Sequence, residues 1–247
     1  METKTKTGFF RVRHPDVGAN GLLRPDVLFD YMQELAGDHA EELGFGYNAL
    51  REKQLTWILS RLCLSIERFP AYGEEVRIQT WPSGVDSLFA TREFVFKCVK
   101  GTHSEPETIA RASSCWLVFH TERMRPVRVS SLGVDLSAYS DQTRFFPGLG
   151  KKMVRQEVSH PLTVRVMETM IDLNDHVNNA RYIGLVYDWL ADRLGKIPQM
   201  KSLHVNYVAA TQRGAFLTTA GSIEGQRFYV ESSEENSLHF QAEGGLV

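Results

Sequence analysis

Cysteine is scarce in this chain of 247 residues: Cys63, Cys98 and Cys115 stand far apart and are odd in number. No Cys-x-x-Cys pair occurs, so neither a disulfide framework nor a zinc cage is suggested. Each cysteine sits in an apolar, strand-like run and reads as a small buried hydrophobe, which fits a reducing, cytoplasmic compartment. An excess of one charge is lacking too. Against 28 Lys and Arg stand 30 Asp and Glu, a formal charge of −2. The basic surplus that phosphate binding requires is missing, and no general affinity for nucleic acid is expected. No stretch approaches ~18–20 consecutive apolar residues, so no membrane-spanning helix is expected. The opening segment, METKTKTGFFRVRH, has no apolar h-region, so no secretory signal is expected either. No residue cluster asks for a metal or an organic cofactor, and none is expected. What remains is an ordinary globular composition, 43% hydrophobic and 23% charged, long enough for one large domain or two small ones.

The clearest helical signal follows Pro25. Leu28, Met32, Leu35, His39 and Leu43 recur at steps of three and four, with acidic residues between them. This spacing predicts an amphipathic helix of about five turns ending near Gly44. After a short polar stretch, Tyr47 to Gln54, strand-like runs dominate: Thr56 to Arg68, Glu75 to Trp81, Leu88 to Val99 and Thr108 to His120. They are rich in β-branched and aromatic residues. Residues 129–156 have scattered Gly, Ser and Pro and no clean period, and read as a linker. Its GLGKK is no phosphate loop, because the ending and the spacing are both wrong. Beyond it the pattern restarts. A strand-like run covers Val158 to Met170, and a second helix covers about Asn178 to Leu194. Four short strand candidates follow, at Leu203 to Ala209, Phe216 to Ile223, Arg227 to Ser232 and Leu238 to Ala242.

The two parts align as a repeat. At an offset of 156, Asp16 falls on Asp172, Gly18 on Asn174 and Asn20 on His176; at an offset of 141, Gly73 falls on Gly214. Each half then reads as strand, loop, helix and several antiparallel strands, an α+β arrangement. A wide sheet with one helix to cover it needs a second half to complete its burial. The expected boundaries are an N-terminal domain at 1–128, the linker at 129–156 and a C-terminal domain at 157–247.

The sharpest segment is Asp172-Leu-Asn174-Asp-His176-Val-Asn178-Asn179, a polar loop directly before the second helix. In an extended strand end, Asp172, Asn174 and His176 would point to one side. Asn178 or Asn179 suits the N-cap, and the free N–H groups of the first turn would face the same region. A carbonyl oxygen placed there would be polarised, and His176 can move protons near neutral pH. Capping chemistry alone also accounts for an Asx-rich loop before a helix. The degenerate repeat, which puts Gly18 and Asn20 opposite Asn174 and His176, favours a site in the second half only.

Asp172-Leu-Asn174-Asp-His176-Val-Asn178-Asn179-Ala-Arg-Tyr182 resembles the signature of the acyl-acyl-carrier-protein thioesterases. Thr56-Trp57-Ile-Leu-Ser60-Arg61-Leu62 resembles the strand after that family's first helix. Ala112-Ser-Ser-Cys-Trp116 with Thr121-Glu-Arg123-Met-Arg125-Pro126 resembles a later strand and its arginine-rich turn, and Val205-Asn-Tyr207-Val resembles a further strand. The matches run in order from about residue 10 to 220. The resemblance implies a tandem double hotdog, each half a long helix wrapped by an antiparallel sheet, and hydrolysis of the thioester of fatty acyl-acyl carrier protein. It implies that Asn174 and helix N–H groups hold the thioester carbonyl, that His176 activates water or the nucleophile, and that Asp172 orients Asn174. The acyl chain would lie in the N-terminal half against Leu28, Met32, Leu35 and Trp57, residues that a plain core explains equally well.

One departure stands out. Where the family brings in a Glu followed by Cys or Ser, this chain has Ala210 and Thr211. Alanine can neither accept a proton nor order a water. Either His176 or Asp172 is the base, or Thr211 or Gln212 positions the water, or the chain is weakened. Two other readings stay open: an acyl-coenzyme A thioesterase of the same superfamily, and a non-catalytic acyl-thioester-binding protein. Acyl carrier protein is the expected partner, met by a basic patch from Arg123, Arg125, Arg128, Lys151, Lys152 and Arg155, with the acidic stretch Glu231 to Glu243 lying elsewhere. A monomer or homodimer in a bacterial cytoplasm is expected.

Overall fold

The computed structural model describes residues 4–99, 106–136 and 143–247. The chain divides into two compact units, Met1–Leu23 with Asp30–Lys151, and Arg24–Phe29 with Lys152–Val247. Eleven strands and three α-helices occur among the described residues. The first unit holds β1 (Lys6–Arg11), β2 (Leu55–Ile66), β3 (Glu75–Asp86), β4 (Phe89–Val99), β5 (Glu107–His120) and β6 (Arg125–Val127), with most of α1 (Pro25–Glu42) and the short α2 (Tyr47–Arg51). The second holds β7 (Ser159–Arg165), α3 (Asn179–Leu194), β8 (Met200–Tyr207), β9 (Phe216–Glu224), β10 (Arg227–Glu234) and β11 (Ser237–Leu246). Strand order is β1-β3-β4-β5-β2 in the first, with β6 on the end of β5, and β7-β9-β10-β11-β8 in the second. It is one order used twice, antiparallel throughout.

Helix α1 follows its sequence closely. Pro25 pre-sets the first turn and Asp26 complements the dipole there. The helix ends in a Schellman motif: Phe45 N–H reaches Ala40 O at 3.0 Å, Gly44 N–H reaches Glu41 O at 3.0 Å, and Gly44 takes φ +77°. Leu28, Met32 and Leu35 are all buried. The polar stretch after α1 folds into α2, where Leu50 is the buried residue that ties the turn down. Helix α3 is capped by Asn178, whose Oδ1 accepts from Ala180 N–H at 2.8 Å, and is ended by Gly195 at φ +60°. Close approach between helix and strand uses glycine in each unit. A Cβ on Gly8 would lie 2.7 Å from Leu35 Cδ1, and one on Gly221 would lie 3.0 Å from Trp189 Cη2.

Backbone hydrogen bonds fix the register of the repeat. Val12 N–H binds Glu74 O and Gly73 N–H binds Val12 O; Val166 N–H binds Ala215 O and Gly214 N–H binds Val166 O. The offset before the helices is therefore 154, not 156, while the later offset of 141 holds. Asp16 falls on Met170; the counterpart of Asp172 is Gly18, that of Asn174 is Asn20, and that of His176 is Leu22. A shift of two residues preserves strand alternation, so matching one Asp to another misled the alignment. Asp16 has a different task. It is buried and holds Arg13 and the Tyr31 hydroxyl at 3.0 and 2.8 Å.

Other boundaries move for local reasons. The run expected over Val158 to Met170 stops at Arg165, because Glu168–Met170 turns into a 3-10 helix. Part of the segment 129–156 is ordered: Val129–Leu132 is a 3-10 turn, and Phe145 and Phe146 donate their N–H groups to Glu93 and Ser113 on the first unit's sheet. Residues 137–142 of that segment lie outside the described residues.

Candidate active site

The loop between the 3-10 turn and α3 is a closed hairpin. Asp172 N–H donates to His176 O at 2.9 Å, Asp175 N–H donates to Asp172 O at 3.0 Å, and Ile171 and Val177 form a bridge across it. Asp175 sits at φ +60° to make the reversal, a conformation that Asp tolerates better than most residues. The strand-like alternation expected of Asp172, Asn174 and His176 is therefore replaced by a turn, because three polar residues here satisfy the backbone locally. Asp172 Oδ1 accepts from Asn174 N–H at 2.8 Å, so its carboxylate orders the backbone on which Asn174 stands. Asn174 is exposed, while Asp172 and His176 are half-buried. No described residue makes a hydrogen bond to the His176 imidazole.

Beneath this loop runs the segment after β8. Thr211 O accepts from Val177 N–H at 3.0 Å, directly beside His176. The Thr211 hydroxyl is fully buried, 2.6 Å from Tyr182 Oη and 2.6 Å from His239 Nδ1. His239 Nε2 lies 3.7 Å from Glu234 Oε2. Burial pushes the Tyr182 phenol up to about 12 and pushes the His239 imidazole below its ordinary value. Tyr207 hydroxyl donates to Asn179 O at 3.0 Å, and Tyr182, Tyr207 and Phe240 pack ring to ring. Tyr207 thus ties down the start of α3, while Tyr182, on the first turn itself, anchors that turn to Thr211. Ala210, at the position where a carboxylate was sought, is exposed.

Asp172, Asn174, His176 and Thr211 are therefore brought together in the second unit. Met32, Leu35 and Trp57 belong to the first unit, and Leu28 falls in the short piece of α1 grouped with the second. The Trp57 indole donates to Phe45 O at 2.9 Å and belongs to an apolar cluster with Leu50, Leu55 and Val118. One member of the expected basic patch is committed elsewhere. Arg155 binds Glu231 at 2.6 Å, and Glu231 is buried with Tyr229 and Gln241 behind it. Glu231 therefore does not lie apart from the basic residues as the sequence suggested. Arg123, Arg125, Arg128, Lys151 and Lys152 are exposed. Among the described residues no cluster of His, Cys, Asp or Glu is arranged to hold a metal.

Chemically, the loop offers an exposed carboxamide, a half-buried imidazole and a capped helix start, beside a buried hydroxyl chain. Sequence reading missed Tyr182, His239 and Glu234 as parts of this group. Tyr182 closes the signature segment, and that was its signal; His239 and Glu234 stand on either side of a hairpin turn and gave none.

Residues 3–133 match the model of the acyl-ACP thioesterase N-terminal domain, and residues 151–243 match that of the acyl-ACP thioesterase C-terminal domain. The chain is 25% identical over 214 residues to a chloroplastic oleoyl-acyl carrier protein thioesterase of Coriandrum sativum, covering 80% of this chain and 57% of that one. It is 24% identical over 231 residues to a chloroplastic palmitoyl-acyl carrier protein thioesterase of Arabidopsis thaliana, covering 87% and 54%. The chain thus spans little more than half the length of these curated relatives. Among solved structures it resembles an acyl-ACP thioesterase from Bacteroides thetaiotaomicron, with a TM-score of 0.84, 27% identity and coverage of 100% and 99%. A 12:0-ACP thioesterase from Umbellularia californica superposes with a TM-score of 0.87 at 18% identity, covering 100% and 95%, and speaks for the fold. The fold is the tandem double hotdog that the family resemblance implied, and it agrees with the repeat.

Proposed function

The chain belongs to the acyl-ACP thioesterase family, and we propose that it hydrolyses the thioester between a fatty acyl chain and the phosphopantetheine arm of acyl carrier protein. The observation that carries this reading is the hairpin Asp172–His176 closed against the capped start of α3, in a chain whose two halves match both family domains.

In this reading the Asn174 amide and N–H groups at the start of α3 hold the thioester carbonyl oxygen, where the helix dipole stabilises the developing oxyanion. His176 takes a proton from water as its oxygen attacks the carbonyl carbon. The tetrahedral intermediate collapses with cleavage of the C–S bond. The thiolate of the pantetheine arm leaves and takes the proton from His176, and the fatty acid departs, giving its own proton to solvent to become the carboxylate. Asp172 acts through the loop by fixing the Asn174 backbone. Thr211 holds the opposite side of the loop through its carbonyl, since its hydroxyl is already shared between Tyr182 and His239. The acyl chain lies within the first unit, against Met32, Leu35 and Trp57. Exposed Arg123, Arg125, Arg128, Lys151 and Lys152 meet the acidic carrier, and the reducing cytoplasm suits three free cysteines.

Single-turnover hydrolysis of acyl-carrier-protein thioesters of several chain lengths tests the reading, with His176→Ala and Ala210→Glu beside the wild type. The expected result is free acid from the wild type and a loss of about 10²-fold or more in His176→Ala. A wild type that binds acyl carrier protein without releasing acid, and that gains turnover in Ala210→Glu, would mean that the protein is a binder.

A further inference from the structure

The buried chain Tyr182–Thr211–His239 is absent from the equivalent frame of the other half. There Leu23 N–H donates to Pro70 O at 2.8 Å, as Val177 N–H donates to Thr211 O at 3.0 Å. Glu67 and Arg68 N–H both donate to Ile109 O, at 2.8 and 3.4 Å, as Val208 and Ala209 N–H donate to His239 O at 2.8 and 3.2 Å. Pro70 therefore stands for Thr211 and Ile109 for His239, and the helix position equivalent to Tyr182 is Leu28. The same backbone closes with three apolar residues. The fold does not require the hydroxyl chain, yet it stands beneath the loop that carries His176 and not beneath the loop that carries Leu22.

Hydrogen-bond bookkeeping fixes its direction. Glu234 Oε2 lies 3.7 Å from Nε2, which favours a proton on Nε2 and leaves Nδ1 as the acceptor. Thr211 O–H then donates to Nδ1, and its oxygen accepts from Tyr182 O–H. Reversing the chain would leave the Tyr182 proton with no acceptor among the described residues, at the cost of an unmet buried donor.

We propose that His239 is a positioning residue for the hydrolysis: its Nδ1 accepts from Thr211 while its carbonyl grips Val208 and Ala209, and together these hold the Thr211 segment against the His176 loop and the first turn of α3. The proposal rests on the reading of that loop as the active site. His239 touches neither substrate nor reacting atoms. It acts on where His176 and the helix N–H groups stand, and a small displacement there is enough to slow the reaction.

The test compares His239→Asn, whose amide oxygen can replace Nδ1 as acceptor, with His239→Ile, the residue of the sister frame. It uses the acyl-carrier-protein thioester that the wild type turns over fastest. The expected result is a fall of about tenfold or more in kcat for His239→Ile with KM within about twofold, and recovery of most of kcat in His239→Asn. Thr211→Val should lose as much, and the double variant Thr211→Val with His239→Ile little more, because the two act as one unit. A kcat for His239→Ile within twofold of wild type overturns the proposal, as does an equal loss in His239→Asn. Histidine side-chain ¹⁵N NMR of the wild type should show the Nε2–H tautomer at His239, whatever the turnover. An Nδ1–H tautomer sinks this proposal alone, whereas full turnover in His176→Ala sinks the functional reading and the proposal with it.

Discussion

The loops at 17–23 and 171–177 have one backbone and two chemistries. Gly18 N–H binds Leu22 O at 2.9 Å, and Asp172 N–H binds His176 O at the same distance. The left-handed position is Gly21 in one and Asp175 in the other. Each loop also turns one Asx side chain back onto its own backbone, Asn20 Oδ1 onto Leu22 N–H and Asp172 Oδ1 onto Asn174 N–H. The fold asks only for a hairpin that delivers the chain into a helix. Asp172, Asn174 and His176 meet that request and add an acid, an amide and a base. Gly18, Asn20 and Leu22 meet it with the amide alone, and bring no acid and no base. The first loop is thus an internal control for the second, and substitutions that trade residues between them separate folding from chemistry.

The largest expected effect comes from writing the first loop into the second. Asp172→Gly with His176→Leu should keep the hairpin, since Gly18 and Leu22 close the same one, and should leave the melting temperature within a few degrees. Hydrolysis of acyl carrier protein thioesters should fall by about 10²–10⁴, the usual range for removing a general base. A melting temperature that collapses along with turnover would show that the polar residues hold the loop as well as serve it.

A second contrast lies in the helices. Leu35 approaches β1 at Gly8, and its counterpart Trp189 approaches β9 at Gly221 while its indole donates to His160 O at 2.8 Å. The second interior is filled by the larger side chain. Trp189→Leu should therefore destabilise the protein by about 2–4 kcal/mol through the cavity it leaves, measured by urea denaturation. The converse change, Leu35→Trp, should shorten the preferred acyl chain if the first interior holds it. An unaltered chain-length profile would remove Leu35 from the acyl wall.

These contrasts also mark what could be read from the sequence. The α1 stripe, a cap at Asn178 or Asn179 and most strands were legible, because period and capping are local properties; the choice of Asn178 came from the structure. The polar loop was legible too, because Asp172, Asn174 and His176 stand within five residues directly before a helix. The register of the repeat was not legible: only hydrogen bonds across the sheet distinguish an offset of 154 from 156. His239 was hidden for a similar reason. In a strand one His reads as another half-buried residue, and nothing local reports that Thr211 lies 2.6 Å from its ring. Arg155 was misread because its partner, Glu231, lies far along the chain.

Acid should separate the halves again, more gently. Arg68 binds Glu74 at 2.8 Å across the turn at Gly73, and hydrogen bonds from Arg68 pull the Glu74 carboxyl down to about 2. The equivalent positions in the second unit are Ala209 and Ala215. A carboxylate with its folded value lowered stabilises the native state fully above its ordinary value near 4.5, and this stabilisation is lost as pH falls toward about 2. Glu74→Gln should therefore melt below wild type at pH 7, and the gap should close across that window. A gap that is constant with pH would mean that the carboxylate's charge is not what matters.

The smallest expected effect concerns the turn itself. Asp175→Gly installs the residue that the first loop uses at this position and relieves a left-handed conformation worth roughly 1 kcal/mol, while making the unfolded chain looser by a similar amount. What remains is Arg213, which pairs with Asp175 at 3.2 Å and also with Glu168. In the first unit the same two places hold Tyr72 and His14, whose rings meet edge to face at 6.3 Å. Each loop base is therefore bridged at the same point, once by charges and once by rings. Because Arg213, Asp175 and Glu168 are all exposed, the ion pair lost in Asp175→Gly is worth little, and denaturation should report a change of less than about 1 kcal/mol. A larger loss that disappears in high salt would show that the second loop needs its charged bridge to hold the hairpin in place, a requirement the first loop meets with two rings and no charge at all.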